Sequence, residues 1–273
     1  MKLDLDLLSF VVISVCFFIL FIPLSLHNYS KKPQPYLPDR SITESQFFDV
    51  RWFYSGLEFA RTSKTVFSKK PSVLIIPHHL IASYIMADLI SASSKFKYEK
   101  IYLIGPNHFE HGTKKFLDGR LPESKEIIAT DHSIGNPMLY LSYYFPNNKV
   151  IPIVLKHDAT LADIADWTEY LSSDNASESL FIFSIDFSHY LPANTASEKD
   201  ELTKVLISKS NLSHILSLNN DYVDSPSGLA LSLSLSKKLQ AKNSKLFYHS
   251  NSGLLLSDFV TGTTSYFGFA FFN

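Results

Sequence analysis

The chain has 273 residues, of which 45% are hydrophobic and 14% aromatic, ample for a buried core, so a disordered chain is excluded. Its 25 basic and 26 acidic side chains leave a formal net charge of -1, so no overall basic field is available to collect nucleic acid. The single cysteine, Cys16, excludes an intramolecular disulfide and a cysteine-clustered zinc site, so a metal centre here has to be built from histidines and carboxylates.

In chain order, the first feature is residues 7–26, LLSFVVISVCFFILFIPLSL, a run without a charged side chain. Its length is about that needed to cross a hydrocarbon core of roughly 30 Å. It is expected to be an uncleaved single-pass anchor rather than a signal peptide or a buried helix, because residues 23–27 offer no small-residue cleavage site. Lys2 flanks one end and Lys31, Lys32 and Arg40 the other, which leans towards a cytoplasmic main domain while leaving the membrane side open. Cys16 lies within the run and is read as packing. Residues 27–46, with three prolines and no apolar periodicity, read as an extended linker, and the globular domain is expected over 47–273.

Three short apolar runs follow, each with a histidine at its end: residues 72–79, 100–108 and 180–189. A further strand is expected over 149–155. Continuous apolar runs, rather than alternation, are the pattern of strands covered on both faces. Helix-like stretches at 81–94 and 161–172 lie between them, which argues for an α/β sheet that is at least partly parallel. The β-rich segments from Lys245 and from Thr263 complete the sheet, with an antiparallel sense open to them. Asp224-Ser225-Pro226 reads as a helix start with proline at its first position, and the segment after it as scaffold.

In an open α/β sheet the ligand crevice lies beyond the carboxyl ends of the strands, and His78, His108 and His189 sit there on three separate strands. Imidazoles completed by a carboxylate suit a transition metal, non-haem iron among them. Asp186, three residues before His189, could orient it, act as a base or serve as a ligand. His132 could reach the same crevice as a proton shuttle, or hydrogen-bond within a turn before a helix at 137–144. His79 and His111 sit further along the loops and are expected to support the site at most. His157, His214 and His249 carry no partner pattern and read as structural or exposed. No G-x-S-x-G, G-x-G-x-x-G, Walker or HExxH pattern occurs.

At these residues the sequence resembles the Memo family, which includes the AmmeMemoRadiSam system protein B. Pro77-His78-His79-Leu80 resembles its PHAGY-type strand end, and Ile104-Gly105-Pro106-Asn107-His108 its LGPxHH element. Asp131-His132-Ser133-Ile134 resembles its EHSIE element, and residues 184–190 its SSDFSHY element. The resemblance implies a fold similar to LigB-type class III extradiol dioxygenases: a mixed, largely parallel sheet flanked by helices, with a metal at its carboxyl edge. It implies metal ligands at His78 and His108, with His189 and Asp186 lining the site. The cysteine ligand of the family does not carry over; Ser257 and Asp258 stand near its position, which makes Asp258 the expected last ligand alongside His78, His108 and His189. Two further departures are His79-Leu80-Ile81-Ala82 in place of a glycine and tyrosine, and Gly135-Asn136 in place of a glutamate.

Two functions follow from the resemblance. One is a membrane-anchored, metal-dependent oxidoreductase of dioxygenase-like type, using iron or copper, with His189, Asp186 and His132 as its catalytic groups. The other is a non-catalytic module holding a peptide or partner protein in the same cleft. A metal hydrolase is a third possibility. The resemblance also implies AMMECR1-like and radical SAM proteins as partners.

Overall fold

The computed structural model describes residues 49–173, 175–258 and 262–273. The expected anchor at 7–26, its Cys16 and the linker lie outside these residues. Among the described residues no helix is long and apolar enough to cross a membrane.

Among the described residues the sheet has eight strands: β1 (Pro71–Ile76), β2 (Lys100–Pro106), β3 (Phe116–Asp118), β4 (Lys149–Leu155), β5 (Ser179–Ser184), β6 (Phe187–Leu191), β7 (Asn243–Asn251) and β8 (Thr263–Phe272). Their order is β3-β4-β2-β5-β1-β8-β6, with β7 on β8. The four central strands β4-β2-β5-β1 are parallel, and the flanking pairs are antiparallel. The expected mixed sheet with a parallel centre is therefore present, and β7 and β8 pair in antiparallel sense.

Burial explains the apolar runs. Alternate residues of one strand feed two separate cores: Leu74, Ile76, Leu103 and Ile182 point to one, Val73, Ile75, Ile104 and Phe183 to the other. Helices α1 (Val50–Thr62), α2 (Ser83–Ser93) and α4 (His132–Tyr144) cover the first face; α5 (Leu161–Ser172) and α8 (Pro226–Lys238) cover the second. Between them in sequence lie α3 (Lys125–Ala129), α6 (Ala193–Lys209) and α7 (Leu212–Ile215), and α9 (Ser252–Leu256) precedes β8.

Helix α4 starts five residues before the expected 137. Asp131 caps it, its carboxylate accepting from the Ser133 N–H at 2.9 Å. Pro137 lies inside the helix and cannot donate to the carbonyl four residues back. That carbonyl, Ser133 O, instead accepts the Ser184 hydroxyl from β5 at 2.6 Å, so the proline frees an acceptor that ties helix to sheet beside the site. Gly105 on β2 allows this approach: a Cβ there would lie 2.4 Å from Ser133 Oγ.

Candidate metal centre

The strand order makes β2, β5 and β1 immediate neighbours, about 4.8 Å apart. Their ends are nearly level, Ile76 pairing with Ser184 and Ile104 with Phe183. His78, Asp186 and His108, two to four residues beyond these positions, therefore emerge at one place on the carboxyl edge.

His78 is fully buried and fixed on every side. Its N–H donates to Asp186 Oδ1 at 3.0 Å, and its carbonyl accepts from Asn136 Nδ2 at 2.8 Å. Its Nδ1 lies 3.3 Å from Ser184 Oγ. The Ser184 hydrogen is already committed to Ser133 O, so Ser184 must accept from His78 Nδ1–H. That assigns the tautomer and leaves an Nε2 lone pair facing the crevice. Burial, opposed only in part by Asp186, holds the His78 ring neutral, well below the usual histidine range.

His108 is held the same way. Its Nδ1 lies 2.8 Å from Asp131 Oδ1 and its N–H donates to Oδ2 at 2.9 Å. Burial works to raise the Asp131 carboxyl, but His108 outweighs it, so Asp131 stays an anion and fixes the ring with Nε2 free. The His78 and His108 rings lie edge to face, 5.1 Å between centroids.

Two carboxylates meet these nitrogens. His78 Nε2 lies 3.3 Å from Asp224 Oδ2 and 3.5 Å from Asp186 Oδ2, and His108 Nε2 lies 3.9 Å from Asp224 Oδ2. His78 Nε2 is buried without a hydrogen-bond partner. His79 Nδ1 comes within 2.9 Å of Asp186 Oδ2. Atoms that ligate one ion at about 2.0–2.1 Å stand about 3.0–3.4 Å apart, and most of these separations fall near that spacing. The residues therefore fit a metal ion on an observation of their own: the buried His78 Nε2, which has no hydrogen-bond partner, stands at ligand spacing from carboxylate oxygens of both Asp224 and Asp186. Burial and the neighbouring Asp186 raise the Asp224 carboxyl well above its ordinary value, while histidines, His78 first, overcome the effect of burial and hold Asp186 below it.

Among the described residues, two three-residue sets have ligand atoms within 4.8 Å of one another: His78, His108 and His132, and His78, His79 and Asp186. His132, the first residue of α4, stacks on His108 at 4.2 Å and 22°. Burial, and His108 next, lower its pKa to about 4. His189 lines the same cleft, its ring 6.0 Å from that of His79, and belongs to neither set. Asp258 sits on the loop after α9, its N–H donating to Gly253 O. Among the described residues it neither lines the cleft nor joins a set.

Three residues go beyond the sequence reading. His79 enters the centre directly, and Asp131 orients a ring. Asp224, read as scaffold, reaches both His78 and His108. The signal was present: a carboxylate in the loop just before α8 stands where the crevice of an α/β sheet lies.

The cleft above the centre has a volume of about 750 Å³. Its rim carries Glu110, paired at 2.8 Å with the exposed His157, and Tyr190, both at positive φ.

This fold and this edge define a mixed α/β protein with a histidine–carboxylate centre at the carboxyl ends of its parallel strands. Residues 121–267 match the profile of Memo-like proteins, more than half of the chain, and the chain belongs to the Memo family. That span includes His132, Asp186, His189 and Asp224; His78 and His108 precede it. A MEMO1 family protein of Methanosarcina barkeri is 27% identical over 191 residues, covering 59% of this chain and 72% of the relative. Another from Metallosphaera sedula is 23% identical over 226 residues, covering 68% and 78%. One from Aquifex aeolicus is 26% identical over 146 residues, covering 42% and 39%.

Proposed function

We propose that this chain is a metal-dependent oxidoreductase of dioxygenase-like type, with the ion held by His78 Nε2, His108 Nε2 and Asp224 Oδ2 and with Asp186 beside them. The observation that carries this reading is the pair of Nε2 lone pairs, each fixed by a hydrogen bond at the opposite ring nitrogen, facing buried carboxylate oxygens at 3.3–3.9 Å. Two neutral imidazoles and a carboxylate with further positions open is the donor chemistry of non-haem iron. Iron bound there supplies Lewis-acid polarisation and redox chemistry towards dioxygen. Asp131 and Ser184 hold the two rings in one tautomer, Asn136 and Asp186 hold the His78 backbone, and His132 and His189 stand at the cleft wall to hold or move a proton at a ring nitrogen. Stoichiometric iron in the full chain purified anaerobically, lost in His78→Ala/His108→Ala, is the expected result. Metal content unchanged in that double variant would remove the basis of the reading.

The 7–26 segment is part of the same proposal as a membrane anchor, tested by whether the full chain resists carbonate extraction and the chain lacking residues 1–26 does not. Association with AMMECR1-like and radical SAM proteins is tested by co-purification. The second reading, a module that binds a peptide or partner protein, draws on the size of the cleft and on the missing thiolate. Partner capture that survives both chelation and the histidine substitutions would favour it over catalysis.

A further inference from the structure

Helix α9 carries three consecutive leucines, and none of them is buried. Leu254, Leu255 and Leu256 leave 57%, 37% and 61% of their surfaces exposed. The other large exposed apolar side chains among the described residues stand apart from one another in sequence, Val50, Val66 and Leu202 among them. Single exposed leucines are ordinary, whereas a contiguous group marks a surface that something covers.

The helix is fastened in place. Asn251 caps it, its side chain accepting from the Leu254 N–H at 2.8 Å, and the Asp258 N–H donates back to Gly253 O. A Cβ on Gly253 would lie 2.7 Å from Thr263 Cγ2, so glycine lets α9 lie against the start of β8. Ser252 Oγ accepts from the Thr264 N–H at 2.9 Å, and Thr264 lines the cleft. From the same strand start, Thr263 Oγ1 donates to Leu191 O at 3.0 Å, beside Tyr190. Tyr190 also lines the cleft and leaves 79% of its surface exposed. The leucines and this tyrosine therefore stand together at the cleft mouth.

The chain itself points to what covers them. On the proposed reading the 7–26 run is an anchor, and residues 27–48 separate it from the described domain. That stretch could reach about 70 Å at most, against roughly 45 Å across a domain of this size, so tether length does not choose the face that meets the bilayer. The side chains do. Leucine favours the acyl region and tyrosine the headgroup level. Tethering supplies an effective concentration on the order of millimolar, which lets a small apolar surface dock. Residues 250–258 carry no lysine or arginine, so this docking is apolar and asks for no anionic lipid.

We infer that α9 and Tyr190 form a bilayer-docking surface, Leu254, Leu255 and Leu256 entering the lipid and Tyr190 resting among the headgroups, so that the cleft opens at the membrane surface. This rests on the reading of residues 7–26 as an anchor.

The test uses the full chain in phosphatidylcholine vesicles, with Cys16→Ser and one introduced cysteine carrying a nitrobenzoxadiazole label. Leu256→Cys reports the docking surface; Ser177→Cys, in the turn before β5 at the opposite edge of the sheet, is the control. A nitroxide-bearing phospholipid is expected to remove roughly half or more of the emission at position 256 and little at 177, at low and high salt alike. Adding Leu254→Ser and Leu255→Ser is expected to cut the loss at 256 about twofold or more, with circular dichroism unchanged. Equal quenching at the two positions, quenching that needs anionic lipid, indifference to the serine substitutions, or a label at 256 that a protein shields from lipid nitroxide and aqueous iodide alike would overturn the inference. A chain that resists carbonate extraction with 256 unquenched keeps the anchor and sinks the docking surface. A chain that carbonate extracts, yet is quenched at 256, keeps the surface and counts against the anchor.

Discussion

Asp224→Asn is expected to move stability and metal affinity in opposite directions. The Asp224 and Asp186 oxygens each lie within 3.5 Å of His78 Nε2, so they are no more than about 7 Å apart. With both ionised and an effective dielectric near 20, they would repel by about 2 kcal/mol or more, a cost that the metal-free protein meets by raising the Asp224 carboxyl and that a neutral asparagine avoids. Asparagine keeps an acceptor for the Asp186 N–H, now 3.2 Å from Asp224 Oδ1, but carries no charge. In chelator the variant is therefore expected to be more stable by about 2 kcal/mol, a rise in Tm of about 4–8 °C for a domain of this size. With iron(II), the same variant loses an anionic ligand, and its affinity is expected to fall about a hundredfold or more, since even residues behind the ligands are worth ten- to a hundredfold. Thermal unfolding in chelator and anaerobic competition against a chromophoric chelator read the two effects separately. A variant less stable than wild type in chelator, or one with undiminished affinity, would refute the assignment of Asp224.

Ser184→Ala frees the His78 tautomer and is expected to lower metal affinity about ten- to a hundredfold, measured by the same competition, with Asp131→Asn acting similarly through His108. Gly105→Ala places a Cβ 2.4 Å from Ser133 Oγ and pushes α4 from β2, costing about 1–3 kcal/mol in denaturant unfolding; an unchanged midpoint would mean that α4 shifts freely. Asp118 gives a pH prediction. Burial works to raise its carboxyl, but Arg120, bonded to it, holds it below the usual range, so its contribution is present above the unfolded value and lost as the pH falls below it. Asp118→Asn is then expected to be about 1–2 kcal/mol less stable at pH 7, with the gap closing below about pH 3; a gap constant with pH would sink the argument.

The parallel centre was legible because β1, β2 and β5 are apolar on both faces, a pattern that exposed strands do not produce. The histidines at their ends were legible for the same reason, since a polar residue closing such a run has only the crevice to face. The sequence did not carry the strand order, which brings β5 between β1 and β2 and so sets Asp186 against His78. Asp224 escaped because Asp-Ser-Pro is also how an ordinary helix starts; only Ser225 caps α8, accepting from Gly228 N–H, which leaves the Asp224 carboxylate for the site. The start of α4 was hidden by Pro137, a residue that normally marks a first turn and here sits inside the helix, its lost hydrogen bond replaced through Ser184. Helix α6 gave little warning because few of its side chains are buried, Ala196, Leu206 and Ile207 among them.

The balance of charge at the centre bears on which ion it suits. The sole thiol of the chain, Cys16, belongs to the apolar run at 7–26, so the donors on the proposed reading are nitrogen and oxygen. A thiolate would select soft ions such as copper(I), and two imidazoles with a carboxylate do not. Asp186 is fully buried and Asp224 nearly so. Two anions in so dry a place need two positive charges, because any residual charge bears the full cost of desolvation. A divalent ion balances the Asp186 and Asp224 carboxylates, whereas copper(I) leaves one of the two uncompensated. Hardness and charge thus point the same way, to iron(II) over copper(I), and burial, with the neighbouring Asp186 carboxylate, raises the Asp224 carboxyl when no cation balances it.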